Sequence, residues 1–277
     1  RYFMSNTSNL ELRGLSHTER TIIDTMTRRG KTIFRVENLE NEFGYKRSNA
    51  NLLLSRLSKK GWLQRLGAGI YRIIPLGSDS TNPIPDDPWS IAMELFSPCY
   101  LSGWTAAEHW DLTEQIFNST IVYTENKQRT KTHKIAGLVF RTKQISSIRN
   151  FGTNKIWSNN TSIQIADIHK TIIDIMDDPL MGGGGLHSVS IFKSYIQKKD
   201  ASLETLWKYA EKLNQGAVFK RLGFLIERTM PNQTQWSSTF LEKINTGIIN
   251  FDPNGPKSGP IITKWGIKIN VPLEDIL

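Results

Sequence analysis

Residues 44–59 read GYKRSNANLLLSRLSK, a polar and basic entry followed by leucines. The spacing predicts a helix whose apolar face is Leu52, Leu53 and Leu57 and which ends near Gly61. Arg can bond guanine through two donors, Asn can bond adenine, and Lys and Ser suit phosphates or either base. The side chains predicted to face a DNA major groove are Lys46, Arg47, Ser48, Asn49, Asn51 and Arg56.

The elements around this helix indicate a winged helix-turn-helix. Ser16-His17-Thr18-Glu19 has the spacing of a capping box and predicts a first helix. Val36, Leu39 and Phe43 keep helical spacing and predict a second. Two β-prone runs flank the turn Gly67-Ala68-Gly69 and predict a hairpin after the third helix. Three short helices followed by a hairpin are the order of elements in that motif.

The predicted wing adds two basic residues to the predicted interface. Arg65 and Arg72 lie on its two strands, and we expect them, with the glycine-containing tip, to lie against the DNA backbone or the minor groove.

Charge is concentrated in the same part of the chain. The net charge is +9, and residues 1–75 hold 14 Lys and Arg against 6 Asp and Glu, whereas residues 76–277 are nearly neutral. This asymmetry favours a basic module that binds a polyanion. Because basic surfaces also serve solubility and winged helices also bind proteins, a protein-interaction module remains the alternative.

Composition and length indicate a soluble protein of about two domains. The chain has 277 residues, 38% hydrophobic and 22% charged, and its one cysteine, Cys99, excludes a disulfide framework or a cysteine-based zinc cluster. Its apolar runs are too short to cross a bilayer, and its N-terminus lacks a signal-peptide core, so we expect a cytoplasmic protein without membrane contact.

The predicted domain organisation follows from the Pro-rich stretch GSDSTNPIPDDP. We expect a disordered or cloning-derived N-terminus (residues 1–15), a winged helix-turn-helix (16–76), a linker (77–88) and a larger mixed α/β domain (89–277). In the last of these, β-prone runs such as Ile135–Arg141 mostly precede the helices, and a final β-type run covers Ile261–Val271. The predicted fold class is therefore α+β.

No catalytic constellation, metal site or cofactor motif emerges from the sequence. The histidines lack metal-ligand spacing, and the Gly182–Gly185 run lacks the spacing and the Lys of a phosphate loop. Asp174 is expected at a solvated helix end. The protein is predicted not to be an enzyme, although a metal-dependent nucleic-acid enzyme using acids such as Asp174 and Asp252 stays open.

One further basic stretch, ENKQRTKTHK, covers residues 125–134. It is either a solvated loop or a source of accessory phosphate contacts beside the wing. Its candidate residues are Lys127, Arg129, Lys131 and Lys134.

The stretch YLSGWTAAEHWDLTEQ (residues 100–115), which follows the predicted winged helix and linker, resembles the AbiEi antitoxin family of abortive-infection systems. The segments IADIHKTIID (165–174), KRLGFL (220–225) and KWGIKINVP (264–272) fit the same family. The resemblance implies a type IV antitoxin that represses its own operon by binding inverted repeats in the promoter, where two copies pair on the DNA. It also implies that the protein counteracts a nucleotidyltransferase-type toxin without a stable complex.

Overall fold

The computed structural model describes residues 14–78, 80, 82–158 and 161–273. Residues 1–13 of the predicted N-terminal segment 1–15 lie outside the described residues. The chain divides into two compact units, the first formed by residues 1–95, 132–140 and 157–162 and the second by residues 96–131, 141–156 and 163–277. The predicted linker at 77–88 lies within the first unit, and its role stays a prediction.

Local signals in the sequence mark the start of α1 and the end of α2. α1 (His17–Arg28) starts with the predicted capping box, in which Ser16 Oγ accepts from the Glu19 amide and the Glu19 carboxylate accepts from the Ser16 amide. α2 (Val36–Phe43) ends at Gly44, whose φ of 69° is left-handed and costs glycine little. α3 (Arg47–Lys59) is the predicted third helix.

A three-stranded sheet completes the first unit's winged helix. β1 (Ile33–Arg35), β2 (Leu63–Gly67) and β3 (Ile70–Ile73) lie in the order β1-β3-β2, and both pairings are antiparallel. Side chains from the three helices and the sheet form one core. The helix α4 (Pro88–Phe96) follows. The order of α1, α2 and α3 followed by the β2–β3 hairpin confirms the predicted winged helix-turn-helix.

A six-stranded sheet and a group of helices make up most of the remaining chain. The sheet has the strand order β6-β7-β5-β4-β9-β8. Its strands are β4 (Cys99–Leu101), β5 (Thr120–Thr124), β6 (Thr132–Ile135), β7 (Leu138–Gln144), β8 (Thr153–Ser158) and β9 (Thr161–Ala166). The helices are α5 (Gly103–His109), α6 (Ile168–Asp177), α7 (Gly185–Ile196), α8 (Leu203–Leu213), α9 (Gly216–Thr229) and α10 (Thr234–Leu241), with two short 3₁₀ turns, Ser147–Arg149 and Pro179–Gly182.

The predicted α+β class is confirmed, with two strand predictions corrected. Ile135–Arg141 is not one strand, because Ala136 and Gly137 both have positive φ and make the two-residue turn of a hairpin between β6 and β7. The final β-type run is also interrupted by a turn, at Gly266. It forms β11 (Ile261–Ile262) and β12 (Ile267–Lys268), which join β10 (Ile249–Asn250) in a small sheet.

Candidate nucleic-acid interface

The N-terminus of α3 is an open positive end. Lys46 occupies the N-cap position, no side chain caps the helix, and its first turn holds no acidic residue. The unpaired N–H groups of a first helical turn, together with the helix dipole, favour a bound anion such as phosphate. Lys46, Arg47, Ser48 and Asn49 are exposed around this end. The structure therefore gathers most of the predicted groove-facing residues at one point.

The exposed face of α3 differs from the predicted one at Leu52. The buried residues Ala50, Leu53, Leu54 and Leu57 have the spacing i, i+3, i+4, i+7 of a single helical face. Leu52 points away from that face and is 70% exposed, so its assignment to the apolar face is wrong. At 100° per residue the outward stripe consists of Ser48, Leu52, Ser55 and Lys59. Sequence reasoning missed the last three, although the spacing of the buried set could have found them.

Arg47 is held by two carboxylates of α2. Its guanidinium lies 3.0 Å from the carboxylate of Glu37 and 3.1 Å from that of Glu40. The hydrogen bond to Glu37 and the charges of both acids raise the pKa of Arg47. Because Arg47 is exposed, the pairing orients the side chain towards α2 without removing it from solvent.

Asn51 and Arg56 each bond to a residue of the first unit. Asn51 Nδ2 donates to the backbone oxygen of Arg47 at 3.0 Å, and the Asn51 side chain is exposed. Arg56 Nε donates to Glu19 Oε1 at 2.9 Å, although most of the Arg56 side chain is exposed. Both residues therefore remain available from solvent on α3.

Glu19 is a buried anion that pairs with Arg56 and Lys60. Its carboxylate is 1% exposed and also accepts from Lys60 Nζ at 2.7 Å. Burial alone would raise the pKa of Glu19, but hydrogen bonds from Lys60 and Ser16 more than offset it and hold this pKa at about 2. Glu19 thus ties the start of α1 to the second half of α3.

The wing is short, and its tip contacts its own domain. A two-residue turn, Ala68-Gly69, joins β2 and β3, and the Val36 amide donates to the Gly69 oxygen at 3.1 Å. A Cβ on Gly69 would lie 3.2 Å from a Val36 methyl group. The tip therefore packs on the start of α2, and Arg65 is the exposed cation of the hairpin.

Arg72 is bound inside the first unit. Its Nε donates to Gln64 Oε1 at 2.6 Å, and its Nη2 donates to the backbone oxygen of Pro83. Burial lowers its pKa. A direct DNA contact by Arg72 would require these bonds to be exchanged at a half-buried side chain, whereas the paired arginines of α3 are exposed.

The candidate accessory residues are all exposed. Lys127, Arg129 and Lys131 belong to the second unit and precede β6, whereas Lys134 lies on β6 and belongs to the first unit. Their contribution to phosphate binding stays a prediction.

Asp174 is not at a solvated helix end, as the sequence suggested, but 1% exposed. It forms a buried ion pair with Lys170 one turn earlier and accepts from Ser102 Oγ at 2.8 Å and Tyr100 Oη at 3.1 Å. Because each polar group here has a partner, the cluster is a satisfied structural network.

Asp252 and the glycine run also serve the fold. The Asp252 carboxylate accepts from the Gly185 amide at 2.7 Å, so the N-terminus of α7 already holds an anion from the chain itself. Both acids considered for an enzymatic alternative are thus engaged within the second unit. Among residues 14–78, 80, 82–158 and 161–273, no group of three or more His, Cys, Asp or Glu could hold a metal ion.

A family model matches part of the first unit. Residues 22–74 match the family model described as "Transcriptional regulator, AbiEi antitoxin". Within residues 22–74 the resemblance to AbiEi antitoxins is confirmed, and the fit of residues 100–115, 165–174, 220–225 and 264–272 to that family stays a prediction. The matched segment contains α2, α3 and the wing, so the candidate residues of α3 and the wing lie inside the AbiEi-like segment.

Structural similarity extends the comparison to the rest of the chain. The crystal structure of the RV2827C protein from Mycobacterium tuberculosis matches with a TM-score of 0.63 over 92% of both chains, at 14% sequence identity. At this identity the match shows a shared fold. The sequence has no match among curated proteins. No helix within the described part of the chain is long and apolar enough to cross a membrane.

Proposed function

We propose that this protein is a cytoplasmic, DNA-binding autorepressor and the antitoxin of a type IV, AbiE-like system. In this proposal it is not an enzyme and needs no cofactor, and it counteracts a nucleotidyltransferase-type toxin without a stable complex. The observation that carries the DNA-binding part is the N-terminus of α3, which no side chain caps, whose own first turn holds no acidic residue and around which basic and short polar side chains are exposed. The AbiEi-like segment at residues 22–74 supports the antitoxin part.

The exposed residues divide into two roles by chemistry. Arg47, Asn49 and Asn51 carry the donors and acceptors that discriminate base edges. Lys46, Arg56 and Arg65 carry charge that suits phosphates on either side of the groove. Ser48 can donate to either.

Equilibrium binding tests the DNA-binding part. Fluorescence anisotropy would compare the duplex upstream of this protein's own gene with a scrambled duplex at two salt concentrations. We expect a preference of ~10³ or more for the upstream duplex, and affinity that falls steeply as salt rises. Equal and weak binding to both duplexes would refute the repressor and favour a protein-binding role for the winged helix.

Repeat spacing tests whether two copies pair on the DNA. Two winged helices on an inverted repeat occupy half-sites about 10 bp, or a multiple, apart on one face of the duplex. Inserting half a helical turn between the repeats should abolish cooperative binding and leave binding to each half-site intact. Unchanged cooperativity would contradict the paired arrangement.

The toxin-directed part has a separate test. The protein would be expressed with a nucleotidyltransferase-type toxin from the neighbouring gene, and growth and co-purification would be measured. We expect restored growth, no co-purification and the same rescue by an Arg47→Ala/Asn51→Ala variant that no longer binds the operator. A stable complex of the two proteins would contradict the type IV assignment.

A further inference from the structure

Leu52 occupies the middle of the outward stripe of α3. It lies one turn after Ser48 and one turn before Arg56, and 70% of its surface is exposed. The core of the first unit is filled from the opposite face, by Ala50, Leu53, Leu54 and Leu57. Leu52 therefore contributes nothing to that core, and burial in this unit does not explain it.

The residues around Leu52 are unusual for a helix face that meets only water. Ser48, Asn49, Asn51 and Ser55 favour helices less than Ala, Lys, Glu or Gln do. Solvent-facing helix positions are normally filled by those stronger formers. A departure from local preference on an exposed face indicates a functional surface. Short side chains also let the backbone of α3 approach the floor of a groove closely.

At such a surface an apolar side chain has one matching group on DNA. The thymine C5-methyl is the apolar group that a base pair presents in the major groove, and proteins contact it with apolar side chains. Flanking residues that bond base edges and phosphates would place Leu52 deep enough in the major groove to contact this methyl group.

We propose that Leu52 is a specificity-determining residue that reads a thymine methyl group in the operator. This inference rests on the proposed DNA-binding function and adds the identity of a base contact to it. It predicts a thymine at one or two positions of each half-site. At these positions Leu52 contributes to affinity only through its contact with the 5-methyl group of the thymine.

The experiment begins with selection of a high-affinity duplex by the full-length protein from a randomised library. Each thymine of the selected duplex is then replaced by 2′-deoxyuridine, which removes only the 5-methyl group. Anisotropy is measured for the wild type, for Leu52→Ala and for Leu76→Ala. Leu76 is a matched control, because it is an exposed leucine of the same unit outside α3. Urea unfolding checks that all three proteins are equally folded.

We expect the wild type and Leu76→Ala to lose affinity about fourfold at one or two deoxyuridine positions, the effect of one buried methyl group. Leu52→Ala should bind the unmodified duplex more weakly and be insensitive to deoxyuridine at those same positions. The inference is overturned if the wild type binds specifically but ignores every substitution, if the selected duplexes lack a consistent thymine, or if Leu52→Ala keeps the full sensitivity. Failure to select any duplex would overturn the proposed DNA-binding function as well, so the two failures are distinguishable.

Discussion

Two sets of positive charge in this molecule behave in opposite ways. On α3, Arg47 and Arg56 are exposed and paired with carboxylates of neighbouring helices. On α6 and α9, Lys170, Lys220 and Arg221 are buried and bound to groups within the second unit. The first set can exchange its partners for groups on DNA, whereas the second cannot leave its partners without unfolding the surrounding structure.

Arg221 illustrates the buried set most clearly. Its guanidinium donates to the backbone oxygens of Met176, Phe251 and Asn250, which come from α6 and from the segment at β10. Burial lowers its pKa to about 10, so the side chain remains charged at neutral pH. A cation in a helix therefore indicates binding to a polyanion only where the fold leaves it in solvent.

The largest expected effect tests the buried set. Asp174→Asn removes the carboxylate partner of the buried Lys170, which should lower the free energy of unfolding by about 3–5 kcal/mol. Glu204→Gln is the matched control, because it removes the carboxylate of an exposed ion pair of the same i, i+4 spacing and should change stability little. Urea unfolding measures both. Equal effects of the two variants would abolish the distinction between buried and exposed pairs.

The next effect tests the exposed set on α3. Arg47→Ala and Asn51→Ala should each weaken specific DNA binding roughly 10- to 100-fold, because each removes a base-reading side chain. Their urea unfolding curves should match the wild type, since both side chains are exposed. Lys208→Ala, which removes an exposed cation from the second unit, should keep wild-type affinity. Unchanged affinity in both α3 variants would contradict the groove assignment.

A smaller effect concerns pH and the anion shared by α1 and α3. The folded-state pKa of Glu19, about 2, lies below the usual value of 4.5 for this side chain. Its contribution to stability is therefore complete above about pH 4.5 and is lost as pH falls towards 2. The Tm of the wild type should exceed that of Glu19→Gln by a few degrees at pH 6, and the gap should close over that range. A Tm difference that stays constant with pH would argue against a role for the ionised carboxylate of Glu19. Glu108→Gln, at an exposed position, serves as the control.

The smallest effect concerns the accessory loop. Lys131→Ala should reduce affinity by less than about threefold. The plot of log K against log salt should become less steep by about 1, because one phosphate contact is lost. Lys208→Ala is again the control. An unchanged slope would leave residues 125–134 as a solvated loop.

Elements with strong local signals were predictable one by one. The sequence placed α1, α2, α3 and the wing because helical periodicity, a capping box, a left-handed glycine and a short glycine turn each act over a few neighbouring residues. Two strands were misjudged where a turn lacked a strong sequence signal, as at Ala136, a non-glycine residue with positive φ. Alanine is rare in that conformation, so Ala136 followed by a single glycine, Gly137, gave only a weak sequence signal for the hairpin between β6 and β7.

The candidate site was predictable in its position but not in its details. The polar and basic start of α3 pointed to the interface, yet the two carboxylates that hold Arg47 and the internal bonds of Arg72 depend on how elements pack. Leu52 was misassigned because three leucines in a row hide which one faces outward. Only the spacing of the complete buried set separates it from Leu53 and Leu54.

The sequence by itself determined the winged helix, its basic character and the identity of the helix that presents polar groups, because these follow from short-range periodicity and charge. The tertiary structure alone decided which charged side chains face inward. Lys170 binds Asp174, four residues later, and Tyr100, which is distant in the chain. Arg221 donates to the backbone oxygens of Met176 and Phe251, both also distant in the chain. Burial of a charge is stable only where such partners converge, and their convergence is a property of the packed chain.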